Sequence, residues 1–250
     1  MIFSVTVFGC KLYQDVAILF EHETKKYNNE LLKFATFFSD KRIDGLNITQ
    51  SDVAEGGSWS HRVAESLEML DDDYVLFLLD DYFIYEKINF TTLTSIVDWC
   101  SKSNVKYCRL INTPYCESFG NLISLPVRPY SVNLQPAIWE RDFLISILRS
   151  IDSNPWETEV NLHKYFTDIN GNYCNAVGFG LISGYLNAVI KGKWARDVPV
   201  SIINKSTRLR MSLFEWNYYR FKSKISSALS TSSKQILKMM LRFLGFKFFS

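Results

Sequence analysis

Two adjacent carboxylates, Asp80 and Asp81, directly follow the continuous apolar run 74–79. Such a run predicts a strand buried on both faces of a parallel sheet. Ligands of open α/β sheets bind outside the carboxyl ends of the strands, where two carboxylates are suited to hold Mn²⁺ or Mg²⁺ against the diphosphate of a nucleotide. The alternative is that the two acids only return the chain to water.

A second pair of carboxylates, Glu157 and Glu159, lies in the segment Pro155-Trp156-Glu157-Thr158-Glu159, which predicts the start of a helix. Acids in the first turn stabilise a helix N-terminus, and this is their structural interpretation. The functional interpretation is that one carboxylate, packed near the Trp156 indole and away from water, has a raised proton affinity and acts as a general base.

A third group comprises Gln135 and Trp139. A flat aromatic ring beside an amide is suited to a sugar, whose apolar face stacks while its hydroxyls need hydrogen-bond partners. Packing of Trp139 in the hydrophobic core is the more common role for such a residue.

Other chemistries have little support in the sequence. The three histidines, at positions 22, 61 and 163, lack metal-site or triad spacing, and no G-x-S-x-G, Walker or G-x-G-x-x-G motif is present. The five cysteines form no C-x-x-C pair, which favours a reduced, cytoplasmic chain. The N-terminal residues indicate a first strand and not a signal peptide.

The elements that must position these residues alternate between strand and helix. The 250 residues are 47% hydrophobic and 22% charged, an ordinary globular composition. Hydrophobic periodicity predicts strands at 2–8, 34–38, 74–79 and 107–111, a polar loop at 40–57, and helices at 13–29, 59–70, 90–101 and 140–151. This alternation predicts an α/β fold with a mostly parallel sheet.

Charge is distributed unevenly along the chain. Residues 205–250 carry ten basic side chains and one acid, whereas the chain as a whole has a net charge of +2. The first 204 residues are therefore mildly acidic, and the basic tail indicates binding to an anionic surface, either a membrane or a nucleic acid.

The end of the tail predicts a basic amphipathic helix. Lys234, Lys238 and Arg242 recur every four residues, with apolar residues on the complementary side. Such a helix lies in the interface of an anionic bilayer. The alternative is that its apolar face docks on the protein's own core. No run of about 20 strongly apolar residues predicts a spanning helix.

An ordered set of short motifs resembles a family of bacterial glycosyltransferases of surface polysaccharide synthesis, which have a GT-A-like fold. The resemblance covers about residues 2–200. The motifs are Val5–Phe8 with Cys10-Lys11, Gly57-Ser58-Trp59-Ser60-x-Arg62, Val75 to Phe83, Arg109-Leu110, Asn133 to Trp139, Pro155 to Glu159, and Gly192-Lys193-Trp194.

The resemblance implies a GT-A-like, Rossmann-like domain at 1–204, with a nucleotide-sugar-binding half at 1–112 and an acceptor half at 113–204. It implies a metal and diphosphate role for Asp80 and Asp81, although Leu-Asp-Asp-Tyr departs from the usual Asp-x-Asp. It places the general base at Glu159 or Glu157. The other implied contacts are Cys10, Lys11, Trp59 and Arg62 for the donor, and Tyr82, Gln135, Trp139 and Trp156 for the acceptor.

The expected activity is transfer of a sugar from a nucleotide-sugar to a lipid-linked glycan or polysaccharide. The segment 205–250 would hold the enzyme peripherally at the inner face of the cytoplasmic membrane. One alternative is a non-catalytic, membrane-peripheral module of a polysaccharide-assembly complex. The other alternative, nucleic-acid binding through the tail, is disfavoured because the tail charges follow one helix face and the body is acidic.

Overall fold

The computed structural model describes residues 3–52, 56–111, 122–125, 131–166 and 176–228. The chain forms two compact units, residues 1–189 and 190–250. The predicted tail helix from Lys234 onward lies outside the described residues. The predicted membrane segment 205–250 was defined by charge and stays a prediction.

In the described residues, the first unit contains ten strands and five α-helices. The first five strands are β1 (Ser4–Phe8), β2 (Ala35–Ser39), β3 (Thr49–Asp52), β4 (Tyr74–Leu79) and β5 (Tyr82–Ile84). The next five are β6 (Tyr107–Ile111), β7 (Ile123–Ser124), β8 (Ala137–Glu140), β9 (Ala176–Ile182) and β10 (Tyr185–Asn187). The helices are α1 (Gln14–Lys33), α2 (Trp59–Glu68), α3 (Phe90–Lys102), α4 (Arg141–Ser150) and α5 (Pro155–Leu162).

Eight of these strands form one sheet, in the order β3-β2-β1-β4-β8-β6-β9-β7. Strands β3, β2, β1 and β4 are parallel neighbours, and β6 pairs in parallel with β9. Only β8 and β7 run in the opposite direction. The predicted α/β class with a mostly parallel central sheet flanked by helices is therefore confirmed.

Strand β4 lies inside this sheet, between β1 and β8. Its residues from Tyr74 to Leu78 are buried, as the apolar run predicted. Helix α2 begins where predicted, since the Ser58 side chain accepts a hydrogen bond from the backbone N–H of His61. The sheet thus delivers Asp80 and Asp81 to the carboxyl edge of a central strand.

Several strands were not predicted. Strand β3 lies inside the segment 40–57, which was predicted to be a loop. It was missed because its sequence Thr-Gln-Ser-Asp has no apolar alternation, as suits a strand at the edge of the sheet. Strands β5, β8 and β10 have only three or four residues, too few to show a period of two. Strand β10 pairs antiparallel with β5, outside the main sheet.

The second unit has a small core of its own. Its elements are the hairpin β11 (Val189–Ile190) and β12 (Lys193–Trp194), and the helices α6 (Val200–Ile203) and α7 (Leu213–Ala228). The Trp194 ring is fully buried, and its indole N–H donates to the Ser206 hydroxyl at 3.1 Å. Among the described residues, no helix combines the length and apolar character needed to cross a bilayer.

Candidate active site at the carboxyl edge of the sheet

Three parallel strands end together at one edge of the sheet. Gly9 follows β1, Asp40 follows β2 and Asp80 follows β4. The chain runs from β1 to β2 on one side, while β4 lies on the other side of β1. This reversal creates a crevice at the strand ends, the usual ligand position in open α/β sheets.

The Asp80 carboxylate fits into this crevice because residue 9 has no side chain. A Cβ atom at Gly9 would lie 2.3 Å from Asp80 Oδ2 and 2.6 Å from the Phe37 ring. The backbone N–H of Asp80 donates to the Phe8 carbonyl at 3.1 Å, which fixes where the residue leaves the sheet. Only glycine permits this approach of a carboxylate to the turn after β1.

Cys10 and Lys11 line the same turn. The backbone N–H of Lys11 donates to Asp40 Oδ1 at 2.7 Å. The pKa of the Cys10 thiol is raised, first by burial and then by the charge of Asp80, so the thiol stays protonated and is no nucleophile. The Lys11 ammonium lies 3.5 Å from the exposed carboxylate of Asp44.

Trp59 and Arg62 lie in the first turn and a half of α2. The Arg62 guanidinium donates to the Gly57 carbonyl at 2.8 Å, next to the Ser58 N-cap. Trp59 is half-buried and packs against the hydrophobic core. The predicted contacts of Trp59 and Arg62 with the donor stay predictions.

Asp81 lies in a different environment from Asp80. Its backbone carbonyl accepts from the N–H of Ala188 at 2.7 Å, which holds the residue next to β10. Burial, and then the negative charge of Glu159, raise the pKa of the Asp81 carboxyl to about 7. The two carboxylates predicted from separate motifs, Asp81 and Glu159, are therefore neighbours.

Glu159 is positioned by helix α5. The helix begins at Pro155, and the Asn154 side chain caps it by accepting from the Glu157 N–H at 3.0 Å. Glu159 Oε1 accepts from the Leu134 N–H at 3.0 Å, and burial raises the pKa of the carboxyl. Glu157 is exposed in the first turn, as expected of a residue that only stabilises the helix N-terminus.

Tyr82 joins these carboxylates to two amides. The Asn187 amide nitrogen donates to the Tyr82 hydroxyl at 3.3 Å, and the Gln135 side chain also hydrogen-bonds this hydroxyl. Burial raises the pKa of Tyr82 well above its ordinary value, and the charges of Asp81 and Glu159 raise it further. Tyr82, Gln135, Asp81 and Glu159 thus surround one polar position.

The two predicted acceptor tryptophans lie elsewhere. Trp139 is 0% exposed and packs against Tyr107 and Phe166 in the hydrophobic core. It has no surface on which a sugar could stack, and the alternative interpretation of core packing is the correct one. Trp156 is 70% exposed, so it does not shield Glu159 from water as expected.

Asp80 and Asp81, the two residues predicted to hold a divalent cation, have different neighbours. Asp80 lies against Gly9, whereas Asp81 lies near Glu159. In the described parts of the chain, no group of three or more His, Cys, Asp or Glu side chains is arranged to hold a metal ion. A role for Mn²⁺ or Mg²⁺ at Asp80 and Asp81, together with a donor's diphosphate, stays a prediction.

Two site residues were missed in the sequence. Asp40 directly follows a parallel strand, so the rule that identified Asp80 would also have identified it. Asn187 lies on the three-residue strand β10, within an uncharged stretch that contains several asparagines. Nothing in the local sequence distinguishes it from the others.

No protein-family model matches the chain, and no curated protein resembles it significantly. Among solved structures, a 1–349 fragment of S. aureus TarS is 15% identical, with a TM-score of 0.47 over 74% of this chain and 60% of that one. The mannosyltransferase PcManGT from Pyrobaculum calidifontis, solved with GDP-Man and Mn²⁺, is 13% identical, with a TM-score of 0.45 over 76% and 58%.

The glycosyltransferase GlyE from Streptococcus pneumoniae is 9% identical, with a TM-score of 0.44 over 70% of this chain and 44% of that one. TarS has also been solved with UDP-GlcNAc. The chain thus spans less than two thirds of the length of each of these proteins.

Proposed function

We propose that this protein is a glycosyltransferase that moves a sugar from a nucleotide-sugar to a lipid-linked or polysaccharide acceptor. The observation that carries the proposal is the partly buried carboxylate of Glu159, held by the Leu134 N–H beside Asp81, at the strand edge that also presents the Gly9–Asp80 crevice. The crevice would take the nucleotide, and the buried carboxylate is suited to proton transfer.

The reaction is a displacement at the anomeric carbon of the donor sugar. The bond to the diphosphate breaks as the bond to the acceptor oxygen forms, and negative charge grows on the leaving diphosphate. Lys11 lies in the crevice turn and Arg62 lies on α2, and both would stabilise that charge. A divalent cation, when bound, would supply the same stabilisation.

Glu159 would take the proton of the acceptor hydroxyl. Burial raises its pKa, which brings the proton affinity of the carboxylate closer to that of a base working near neutral pH. Its Oε1 is held by the Leu134 N–H, which fixes the orientation of the carboxyl group. We assign the base to Glu159 and not to Glu157, because Glu157 is exposed to water.

Binding of a nucleotide-sugar is the first test. The full chain would be heated with UDP-GlcNAc, GDP-mannose, and CMP- and dTDP-sugars, each with and without Mn²⁺ or Mg²⁺. The solved structures with UDP-GlcNAc and GDP-Man make these two donors the first to try. A ligand that binds only the folded protein raises its unfolding midpoint, so a shift with one nucleotide supports the proposal, and no shift with any opposes it.

We also propose that the second unit attaches the enzyme to the inner face of the cytoplasmic membrane, where a lipid-linked acceptor would lie. Helix α7 supports this, because Phe214, Tyr218 and Phe221 recur at helical spacing and are 58–81% exposed. Residues 205–250 are also strongly basic. Exposed aromatic side chains beside positive charge suit an anionic bilayer interface.

Co-sedimentation with vesicles tests the membrane proposal. The full chain should bind vesicles of phosphatidylglycerol and phosphatidylcholine, but not vesicles of phosphatidylcholine alone. Phe214→Ser with Phe221→Ser should weaken this binding, whereas Tyr27→Ser, which changes an exposed aromatic residue of the first unit, should not. Equal binding of wild type and the double variant would contradict the role of α7.

A further inference from the structure

Three buried polar atoms lack hydrogen-bond partners within the described structure, on residues that adjoin the Tyr82 hydroxyl. They are Asp81 Oδ1, Gln135 Oε1 and Asn187 Oδ1. Gln135 and Asn187 both hydrogen-bond the Tyr82 hydroxyl through their side chains, and the charge of Asp81 raises the pKa of that hydroxyl. The unsatisfied atoms therefore belong to one site on the Glu159 side of the crevice.

In either orientation of its amide, each of the residues Gln135 and Asn187 contacts the Tyr82 hydroxyl through one terminal atom. If the oxygen and nitrogen of Asn187 exchange places, its oxygen accepts from Tyr82 and its nitrogen is left over. The same exchange at Gln135 leaves its other terminal atom without a contact to the Tyr82 hydroxyl. In both orientations, the other terminal atom of each amide does not contact Tyr82 and is available to a ligand.

Such atoms are costly in a folded protein. A buried polar group without a hydrogen bond costs about 1–3 kcal/mol, and native structures contain few of them. Three in one place indicate a site whose partners arrive with a ligand. A sugar ring presents several hydroxyls, and each can donate to an oxygen or accept from an amide nitrogen.

We propose that Asp81, Gln135 and Asn187 form a hydroxyl-recognition site for a pyranose ring, and that Gln135 and Asn187 select which sugar is accepted. This rests on the proposed function and adds to it a residue, Asn187, that no motif in the sequence marks. The ring comes either from the donor or from the acceptor. Asp81 then acts as a sugar ligand and not as a metal ligand.

The test combines stability with binding. Gln135→Met and Asn187→Leu each replace an amide that has one unsatisfied atom with an apolar group of similar size. Removing that atom offsets the lost contact with Tyr82, so the unfolding midpoint without ligand should change little. Asn133→Leu is the matched control, because the oxygen of this buried amide accepts from the Gln135 N–H at 3.1 Å. The unfolding midpoint of Asn133→Leu should fall.

Titration calorimetry then separates the two sources of the ring. In one arm the full chain binds UDP and UDP-GlcNAc, or GDP and GDP-mannose. In the other arm methyl glycosides are added at saturating nucleoside diphosphate. Gln135→Met and Asn187→Leu should each weaken the sugar contribution at least fivefold in one arm, while leaving the affinity for the nucleoside diphosphate unchanged.

Other outcomes are decisive. If wild type binds the nucleotide-sugar and both variants bind every sugar equally well, the inference is wrong and the proposed function stands. If wild type binds methyl glycosides but no nucleotide, the proposed function fails and the recognition site stands. A lower unfolding midpoint in both variants would show that the amides are structural. If wild type bound neither the nucleotides nor the methyl glycosides, both proposals would be overturned.

Discussion

The carboxylates of Asp81 and Glu159 lie close enough that the charge of Glu159 raises the pKa of Asp81. One residue follows a central strand and the other lies on a helix 78 positions later in the chain. Because both carboxyls are withdrawn from water, ionising them together is costly, and one proton is retained more readily than on an isolated carboxyl. This pair is the centre of the proposed proton transfer.

Replacing Asp81 by Asn should change the pH dependence of stability. The folded state raises the Asp81 pKa from 3.8 to about 7, so the folded protein holds this proton more tightly than the unfolded chain. The free energy of unfolding should therefore fall as pH rises from 4 to 7. Asp81→Asn removes this loss, which amounts to at most about 4 kcal/mol.

Thermal unfolding of wild type and Asp81→Asn between pH 4 and pH 8 measures this effect. The variant should be the more stable at pH 8, and the difference should vanish near pH 4. Parallel curves for the two proteins across this range would mean that Asp81 is not protonated near neutral pH.

Replacing Glu159 by Gln should abolish most sugar transfer while preserving the fold. A positioned general base contributes about 10²–10⁴ in rate, so turnover should fall by that factor. Glu157→Gln is the matched control, since it makes the same change in an exposed position of the same helix. Similar losses in both variants would count against Glu159 as the base.

Adding a methyl group at Gly9 should disturb the nucleotide end of the crevice. In Gly9→Ala the new Cβ would meet Asp80 Oδ2 and the Phe37 ring, so one of them must move. We expect a loss of about 1–3 kcal/mol of stability from the overpacking, together with weaker nucleotide binding. Urea unfolding and titration with nucleoside diphosphate measure the two effects. Unchanged values of both would refute the close approach.

The two tryptophans of the acceptor prediction should behave differently. Trp139→Ala removes a fully buried ring and should cost about 3–5 kcal/mol of stability. Trp156→Ala changes an exposed side chain and should alter stability by less than about 0.5 kcal/mol. Denaturant unfolding distinguishes them, and a small effect at Trp139 would contradict its place in the core.

Long apolar or periodic segments made the framework of the fold predictable. The run at β4 identified a central strand, and the Ser58 cap identified the start of α2. Because carboxyl ends of parallel strands meet, the crevice at Asp80 also followed from sequence. The polar edge strand β3 and the short strands β5, β8 and β10 did not, since their positions depend on tertiary pairing.

The sequence allowed single residues of the site to be predicted, but not that they lie together. Asp81, Gln135 and Glu159 were each selected for their own chemistry, but nothing local indicated that they meet. Trp139 carried the same signal as a sugar-stacking residue and yet lies in the core. Asn187 carried no signal, because its role depends on strand β10 pairing with β5 beside Tyr82.

Release of nucleoside diphosphate from a nucleotide-sugar tests the central claim most directly. Wild-type full chain and Glu159→Gln would be incubated with UDP-GlcNAc, GDP-mannose, and CMP- and dTDP-sugars, with simple glycosides as acceptors. The account predicts that wild type releases the nucleotide from one donor class, and that Glu159→Gln binds this donor equally well but releases it at least 100-fold more slowly. Folded wild type that neither binds nor cleaves any of these donors would contradict it.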